Sequence, residues 1–383
     1  MKTICRVLGA AISIWCVAGA SAVRADHVDD VIAAQMKERG IPGVALAVVE
    51  NSTIVREQAY GWSDKGRQIP VTTATLFQAA SVSKAVSAMG VLRLVEEGKV
   101  SLDDNINAKM RSWSLPENRF TREHPVTLRL ILSHNAGITV SGFEGYKPGA
   151  AIPTLLQILD GKRPANSRPI RVDEVPGSEY RYSGGGYLVM QQMMIDVTGQ
   201  PFAGYMESAV LKPLGMTSST FVQPLPDRWI ARAATGYTGS PPKAVAGRWR
   251  IKPELAAAGL WTTAGDLARW LIGVQKSLAG RSNPVISQSM TREMLMKQAG
   301  FTGLGVNVGG DPLRFGHNGS NAGYEAVTVA FADSGQGAVI MINANANVNV
   351  WKNIVIEAIA EQYQWPGSSS RKRATDGANG ASL

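Results

Sequence analysis

The sequence predicts a mixed α/β fold: one antiparallel sheet built from both chain ends, flanked by helices, with a helical region inserted between its halves. Three observations predict it. A strand pair with a two-residue turn lies near the start of the chain, a second strand pair lies near its end, and the stretch from about 100 to 265 is helical pieces broken by Pro and Gly clusters. The 383 residues, 45% hydrophobic and 18% charged, suffice for a sizeable core and exclude a disordered, collagenous or small stapled chain.

Lys2 and Arg6, the apolar stretch Val7 to Ala20, and the small-residue sequences Ala20-Ser21-Ala22 and Val23-Arg24-Ala25 read as a secretory signal peptide over residues 1–25. The apolar stretch falls short of the roughly 20 residues a bilayer-spanning anchor needs. Cys5 and Cys16, the only cysteines, both lie within residues 1–25, so the chain that remains has no disulfide or thiol chemistry. Losing Lys2, Arg6 and Arg24 lowers the formal net charge from +9 to +6. A periplasmic or secreted location is the expectation, without stable membrane insertion, since no later apolar run reaches about 18 residues.

Residues 26–366 are expected to form the folded domain. Val44 to Glu50 and Thr53 to Tyr60 flank Asn51-Ser52 as a hairpin. From about Ser81, Val86, Met89, Val91, Leu92, Leu94 and Val95 recur at helical spacing up to Gly98. The insertion at about 100–265 follows. Strand character returns over Gly323 to Phe331 and Gly337 to Asn343, and Val350 to Tyr363 is helical, with Ile354, Ile359 and Ala360 on one side. Residues 367–383, rich in Gly, Ser, Ala and Asn, read as a disordered tail. Its Arg371-Lys372-Arg373 is the sole feature favouring nucleic acid and is explained equally well by solvation, so no nucleic-acid partner is expected.

Absent motifs narrow the chemistry. The sequence has no Gly-x-Ser-x-Gly elbow, no His-Glu-x-x-His and no phosphate loop. His27, His124, His134 and His317 are too dispersed for a zinc motif, and Gly303 to Gly309 reads as strand and turn rather than a dinucleotide fingerprint. Neither a metal nor an organic cofactor is expected. What the chain does have is Ser81-Val82-Ser83-Lys84 at the start of the buried helix. Positions i and i+3 share a helix face, so the Lys84 amine can reach the Ser81 hydroxyl and accept its proton. Backbone N–H groups at the helix start can stabilise an oxyanion. On its own the tetrad, which occurs often by chance, fits a helix-capping serine beside a solvated lysine better.

Its surroundings add weight. Ile41-Pro42-Gly43, Phe77 to Lys84, Leu102-Asp103-Asp104, Leu130 to Gly137, Leu214 to Phe221 and Ala258 to Ala268 occur in order. Over Ile41 to Ala344 the chain thus resembles the penicillin-binding protein and serine β-lactamase superfamily, in its class C-like branch with D-Ala-D-Ala carboxypeptidases, D-aminopeptidases and serine esterases. The resemblance implies a β-lactamase/transpeptidase-like fold, with Ser81 as nucleophile and Lys84 as its proton partner. The family's Tyr-x-Asn falls on Tyr182-Ser183-Gly184, which makes Tyr182 a general base and leaves Gly184 without the amide that usually meets the substrate's acyl group. The third motif falls on His317-Asn318-Gly319, where His317 supplies an imidazole N–H, or a cation below about pH 6.5. The Ser320 amide becomes the second oxyanion donor beside that of Ser81. His134 and Ser133 fall in a structural turn.

The expected function is an exported serine hydrolase forming an acyl-enzyme with D-amino-acid peptide or β-lactam amides. The alternative is a carboxylesterase of the same fold acting on small acyl esters, favoured by Gly184. Its partner is a small-molecule or peptide substrate. A catalytically dead binding module would not need Ser81, Lys84 and Tyr182 together.

Overall fold

The computed structural model describes residues 27–345 and 348–368; the expected signal peptide and the basic triplet of the tail lie outside them. Helix α1 (His27–Arg39) leads into strands β1 (Gly43–Glu50), β2 (Thr53–Asp64), β3 (Ile69–Pro70) and β4 (Phe77–Gln78), then helix α2 (Val82–Glu96). The middle of the chain holds α3 (Leu128–Leu132), α4 (Leu155–Asp160), α5 (Gly184–Thr198), α6 (Phe202–Met206) and α7 (Asp227–Ile230). It continues with β5 (Tyr237–Thr238), β6 (Lys243–Ala244), α8 (Leu255–Ala258) and β7 (Trp261–Thr262). Helices α9 (Ala264–Leu278) and α10 (Gln288–Leu295) precede β8 (Asn307–Gly309), β9 (Arg314–Asn321), β10 (Tyr324–Phe331) and β11 (Gly337–Ile342), and α11 (Val348–Gln362) closes the fold.

Seven strands form one antiparallel sheet in the order β3-β2-β1-β11-β10-β9-β8, so β1 from one end of the chain pairs with β11 from the other, Val44 opposite Ile342 and Val49 opposite Gly337. Asn51 and Ser52 take φ of 51° and 55°, the left-handed pair that lets a two-residue turn follow the twist of its strands. Ala45, Ala47 and Val49 face one core with α2 and α9, while Val44, Leu46 and Val48 face a second core under α1 and α11. Burial on both faces is why β1 and β11 read as unbroken apolar runs.

Two details differ from the sequence reading. Helix α1 has no counterpart there, because it buries little more than Val28, Ile32 and Gln35 and its apolar stripe is thin. In α11 the side chains turned inward are Trp351, Val355, Ala358 and Ile359, whereas Ile354 and Ala360 are only partly covered. Helix α2 is buried nearly all round, from Val82 to Leu94. It lies between the sheet and the middle region, with its N-terminus under β9.

Candidate active site

Ser81 ends the turn between β4 and α2. Ala80 before it takes φ of 50°, a strained conformation for a side-chain-bearing residue, which presents Ser81 at the head of the helix. The Ser81 side chain makes no capping bond, so the capping role has no geometric support. The N–H groups of Val82, Ser83 and Lys84 bond the carbonyls of Ala79, Ala80 and Ser81, whereas the Ser81 N–H has no backbone partner of this kind among the described residues.

One turn along, Lys84 is 2% exposed; its Nζ donates to Ser81 Oγ at 3.0 Å and to the Ala257 carbonyl of α8 at 2.8 Å. The half-buried Tyr182 precedes α5, and its ring centre lies 4.9 Å from Lys84 Nζ. The buried ring of Tyr187 lies 5.7 Å from the same nitrogen. On the opposite wall, β9 carries His317, whose ring is 6.5 Å from that of Tyr182, then half-buried Asn318, Gly319 and exposed Ser320. Gly319 lies against the serine turn: a Cβ there would stand 2.8 Å from Ser81 N and closer still to the Ala79 carbonyl. Only glycine lets the strand approach so far.

A buried amide network ties these walls together. Asn321 Nδ2 at the end of β9 donates to Gln78 Oε1 of β4 at 2.8 Å and to the Ala258 carbonyl of α8 at 3.2 Å, and Ser83 Oγ accepts from the Leu260 N–H at 3.0 Å. Asn345 Nδ2 donates to the Asn321 carbonyl at 2.9 Å and to Ser320 Oγ at 3.3 Å, steadying the far end of the strand.

His317 corrects the sequence expectation. Burial, reinforced by the Lys84 charge, pushes its pKa down to about 4, so it is neutral at physiological pH rather than a cation below 6.5. Nδ1 lies 2.6 Å from the Asn318 carbonyl, which can only accept; the imidazole N–H is therefore the one on Nδ1, and Nε2 is an acceptor. His134, at φ 60°, is a turn residue as expected, and it also positions Tyr182. Its Nδ1 accepts the Ser183 N–H at 3.1 Å and its ring lies 4.3 Å from that of Tyr182. Burial first, then Lys84 and His317, hold His134 neutral, well below the usual histidine range.

Three further residues escaped the sequence reading. The space beside Gly184 is already taken: a Cβ there would lie 3.0 Å from Phe143 Cε2 and 3.0 Å from the Ser141 carbonyl. An aromatic ring thus stands where the family's amide would extend. Lys252, 1% exposed, donates from Nζ to the Phe143 carbonyl at 2.7 Å, and Glu254 is fully buried just ahead of α8. The signal available for these two was the charged Lys252-Pro253-Glu254 directly before the apolar Ala256-Ala257-Ala258.

Ser81, Lys84, Tyr182 and His317 thus converge from α2, α5 and β9, within the stretch from 28 to 357 that the beta-lactamase family model matches. The chain belongs to the beta-lactamase family. This family member is 25% identical over 261 residues to protein flp of Staphylococcus aureus strain N315, an alignment covering 64% of this chain and 48% of that protein. It is 31% identical over 221 residues to esterase EstB of Burkholderia gladioli, covering 54% and 53% of the two chains. The chain spans about half the length of the curated relatives it matches. Among solved structures, the D-amino acid amidase of Ochrobactrum anthropi SV3 superposes with a TM-score of 0.71 at 23% identity, covering 88% of this chain and all of that one. The octameric penicillin-binding protein homologue of Pyrococcus abyssi gives 0.71 at 22%, covering 88% and 77%. At these identities the superpositions show the fold, which is the β-lactamase/transpeptidase-like arrangement that the motifs implied.

Proposed function

We propose that this beta-lactamase family member is an exported serine hydrolase that works through an acyl-enzyme on Ser81. The observation that carries the reading is the contact of Lys84 Nζ, itself buried, with Ser81 Oγ at 3.0 Å beside the Tyr182 ring. Ser81 Oγ attacks the substrate carbonyl while its proton passes to the Lys84–Tyr182 pair. The oxyanion is held by the Ser81 and Ser320 N–H groups, and the leaving group takes the proton as it departs. Water, deprotonated by the same pair, then cleaves the ester and restores Ser81. Asn318 and Gly319 line the substrate's edge, and His317 Nε2 accepts a hydrogen bond from the proton-carrying groups or from substrate.

Between the two substrate classes, small acyl esters are favoured over D-amino-acid peptides or β-lactams. The Phe143 ring offers the acyl chain an apolar contact where an amide bond would want a partner, and neutral His317 gives a substrate carboxylate no cation. Intact mass spectrometry of wild type and Ser81→Ala after exposure to a p-nitrophenyl ester, a fluorophosphonate and a penicillin tests this. Wild type is expected to form Ser81 adducts, with the ester adduct turning over fastest, and Ser81→Ala to form none while keeping its melting temperature. An adduct on Ser133 or Ser183, or near-normal turnover by Ser81→Ala, refutes the assignment.

A further inference from the structure

The wall that carries Tyr182 continues into a second aromatic feature. The Arg181 N–H donates to the His134 carbonyl at 2.7 Å and the Ser183 N–H to His134 Nδ1 at 3.1 Å, so alternate amides of this segment face one turn. That alternation belongs to extended chain, in which residues two apart project to the same side. The Arg181 side chain is paired with Asp173 and Glu174, while the rings of Tyr180 and Tyr182 both lie against His134, at 6.1 Å and 4.3 Å between centres. The loop between α10 and β8 then sets Phe301 against Tyr180, ring centres 5.2 Å apart and tilted by 48°. This loop is braced on the turn that holds Tyr182: Thr302 Oγ1 donates to the Ser133 carbonyl at 3.0 Å, and the Gln298 N–H donates to the Thr302 carbonyl at 2.7 Å.

Tyr180 is 37% exposed and Phe301 52%. A single exposed phenylalanine needs no explanation, but two rings packed on one another and joined through His134 to Tyr182 make a continuous aromatic strip that leads out of the cleft. Its direction follows from the segment. Two residues beyond Tyr182, at Gly184, Phe143 closes the acyl side; two residues before it stands Tyr180, at the opposite end. In acyl transfer the departing oxygen takes its proton from the Lys84–Tyr182 pair, so the leaving alcohol must pass Tyr182, and its remaining atoms extend away from Phe143, toward Tyr180 and Phe301.

We propose that Tyr180 and Phe301 form a subsite for the alcohol half of the ester and select substrates whose leaving group carries an aromatic ring. The inference rests on the serine-hydrolase reading and names its substrate class: small acyl esters of alcohols that bear an aryl group. A third ring finds offset-stacked or edge-to-face contacts on the tilted pair, and covers aromatic surface that otherwise faces water. When Ser81 Oγ bonds to the acyl carbon and the bond from that carbon to the alcohol oxygen breaks, the alcohol leaves with the proton handed over by the Lys84–Tyr182 pair, and its ring departs from the strip.

The test measures kcat/KM for ethyl acetate, benzyl acetate and ethyl phenylacetate in wild type, Phe301→Ser and Phe301→Trp. Benzyl acetate places the ring on the alcohol, ethyl phenylacetate places it on the acyl group, and ethyl acetate is the reference for both. Wild type should prefer benzyl acetate to ethyl acetate. Phe301→Ser should lower kcat/KM for benzyl acetate about tenfold, chiefly through KM, and leave the other two esters within about twofold. Phe301→Trp keeps the aromatic surface and should keep the benzyl preference; its loss in both variants overturns the inference. So does an equal fall on ethyl and benzyl acetate, which marks a structural role, and so does a selective fall on ethyl phenylacetate, which puts the ring on the acyl side. Should Phe301→Ser not fold, Tyr180→Leu decides by the same ratios. Absence of any Ser81 adduct with a fluorophosphonate in wild type overturns the serine-hydrolase reading and this inference with it, whereas a Ser81 adduct with equal efficiency on ethyl and benzyl acetate overturns only the inference.

Discussion

Gly319→Ala is the sharpest probe of how the two walls of the cleft meet. The added methyl would lie 2.8 Å from Ser81 N and 3.0 Å from Ala80 Cβ, and nearer still to the Ala79 carbonyl, whereas ordinary contact is about 3.5 Å. Two of the three obstacles are backbone atoms, so no rotamer change relieves them, and strand β9 must move away from the serine turn by about 0.7 Å or more. That displacement separates Ser320 from Ser81. Misplacing reacting groups by about 1 Å costs on the order of a hundredfold, and losing one oxyanion donor about a hundred- to a thousandfold, so acylation should slow by about 10²- to 10³-fold. Overpacking should cost only about 1–3 kcal/mol of stability, leaving a folded protein. Single-turnover acylation by a p-nitrophenyl ester, with thermal unfolding followed by circular dichroism, separates the two effects. A folded Gly319→Ala that acylates at the wild-type rate would refute the claim that β9 and the serine turn together form the oxyanion site.

If Lys84 and Tyr182 form the proposed single proton-transfer unit, Lys84→Ala and Tyr182→Phe should each slow acylation strongly while the double variant is little worse than either; additive losses in a double-mutant cycle would mean independent roles. Gly184→Asn by itself should impair the enzyme, since its Cβ meets Phe143 and the Ser141 carbonyl at 3.0 Å, whereas Phe143→Ala with Gly184→Asn and His317→Lys should raise penicillin turnover relative to p-nitrophenyl acetate. Comparative steady-state kinetics on both substrates checks this. The neutral burial of His317 predicts acid sensitivity. Unfolded imidazole binds a proton near pH 6.5, so stability that is whole above that value is lost as pH falls toward about 4, by roughly 3 kcal/mol for this residue. Glu254, with its raised pKa, acts in the opposite sense over the same range, so the comparison of melting temperature against pH in wild type and His317→Gln isolates the imidazole. Equal slopes would count against it.

The central strands were legible because double-sided burial leaves an unbroken apolar run, and the Asn51-Ser52 turn carries its own signal. Strand β9 was not legible as a strand: Gly316, His317, Asn318, Gly319 and Ser320 have no strand pattern, and its position is fixed by pairing with β10 and by Thr328 Oγ1, which accepts from the His317 N–H at 2.9 Å. At the site, Ser81 and Lys84 are a local pair that helix geometry alone brings together. Tyr182 and His317 lie over a hundred residues from Ser81 and from each other, and the sequence pointed to them through family motifs. Lys252 and Glu254 left only the charged Lys252-Pro253-Glu254 beside an apolar run as a local signal, which does not state that the side chains will be enclosed; Phe143 reaches Gly184 only through tertiary packing, and the protonation of His317 depends on its burial and on Lys84 from another element.

The pairing of β1 with β11 also governs when this protein can fold. β1 is made early, yet one edge of it stays bare until residues 337–342 exist, and α2, packed beneath the finished sheet, has no complete floor before then. Contacts this distant in sequence form slowly, and the early hairpin presents an apolar, unpaired edge in the meantime. Wherever folding takes place, Ser81 and Lys84 therefore acquire their complete surroundings only once the last strands of the chain have joined the first.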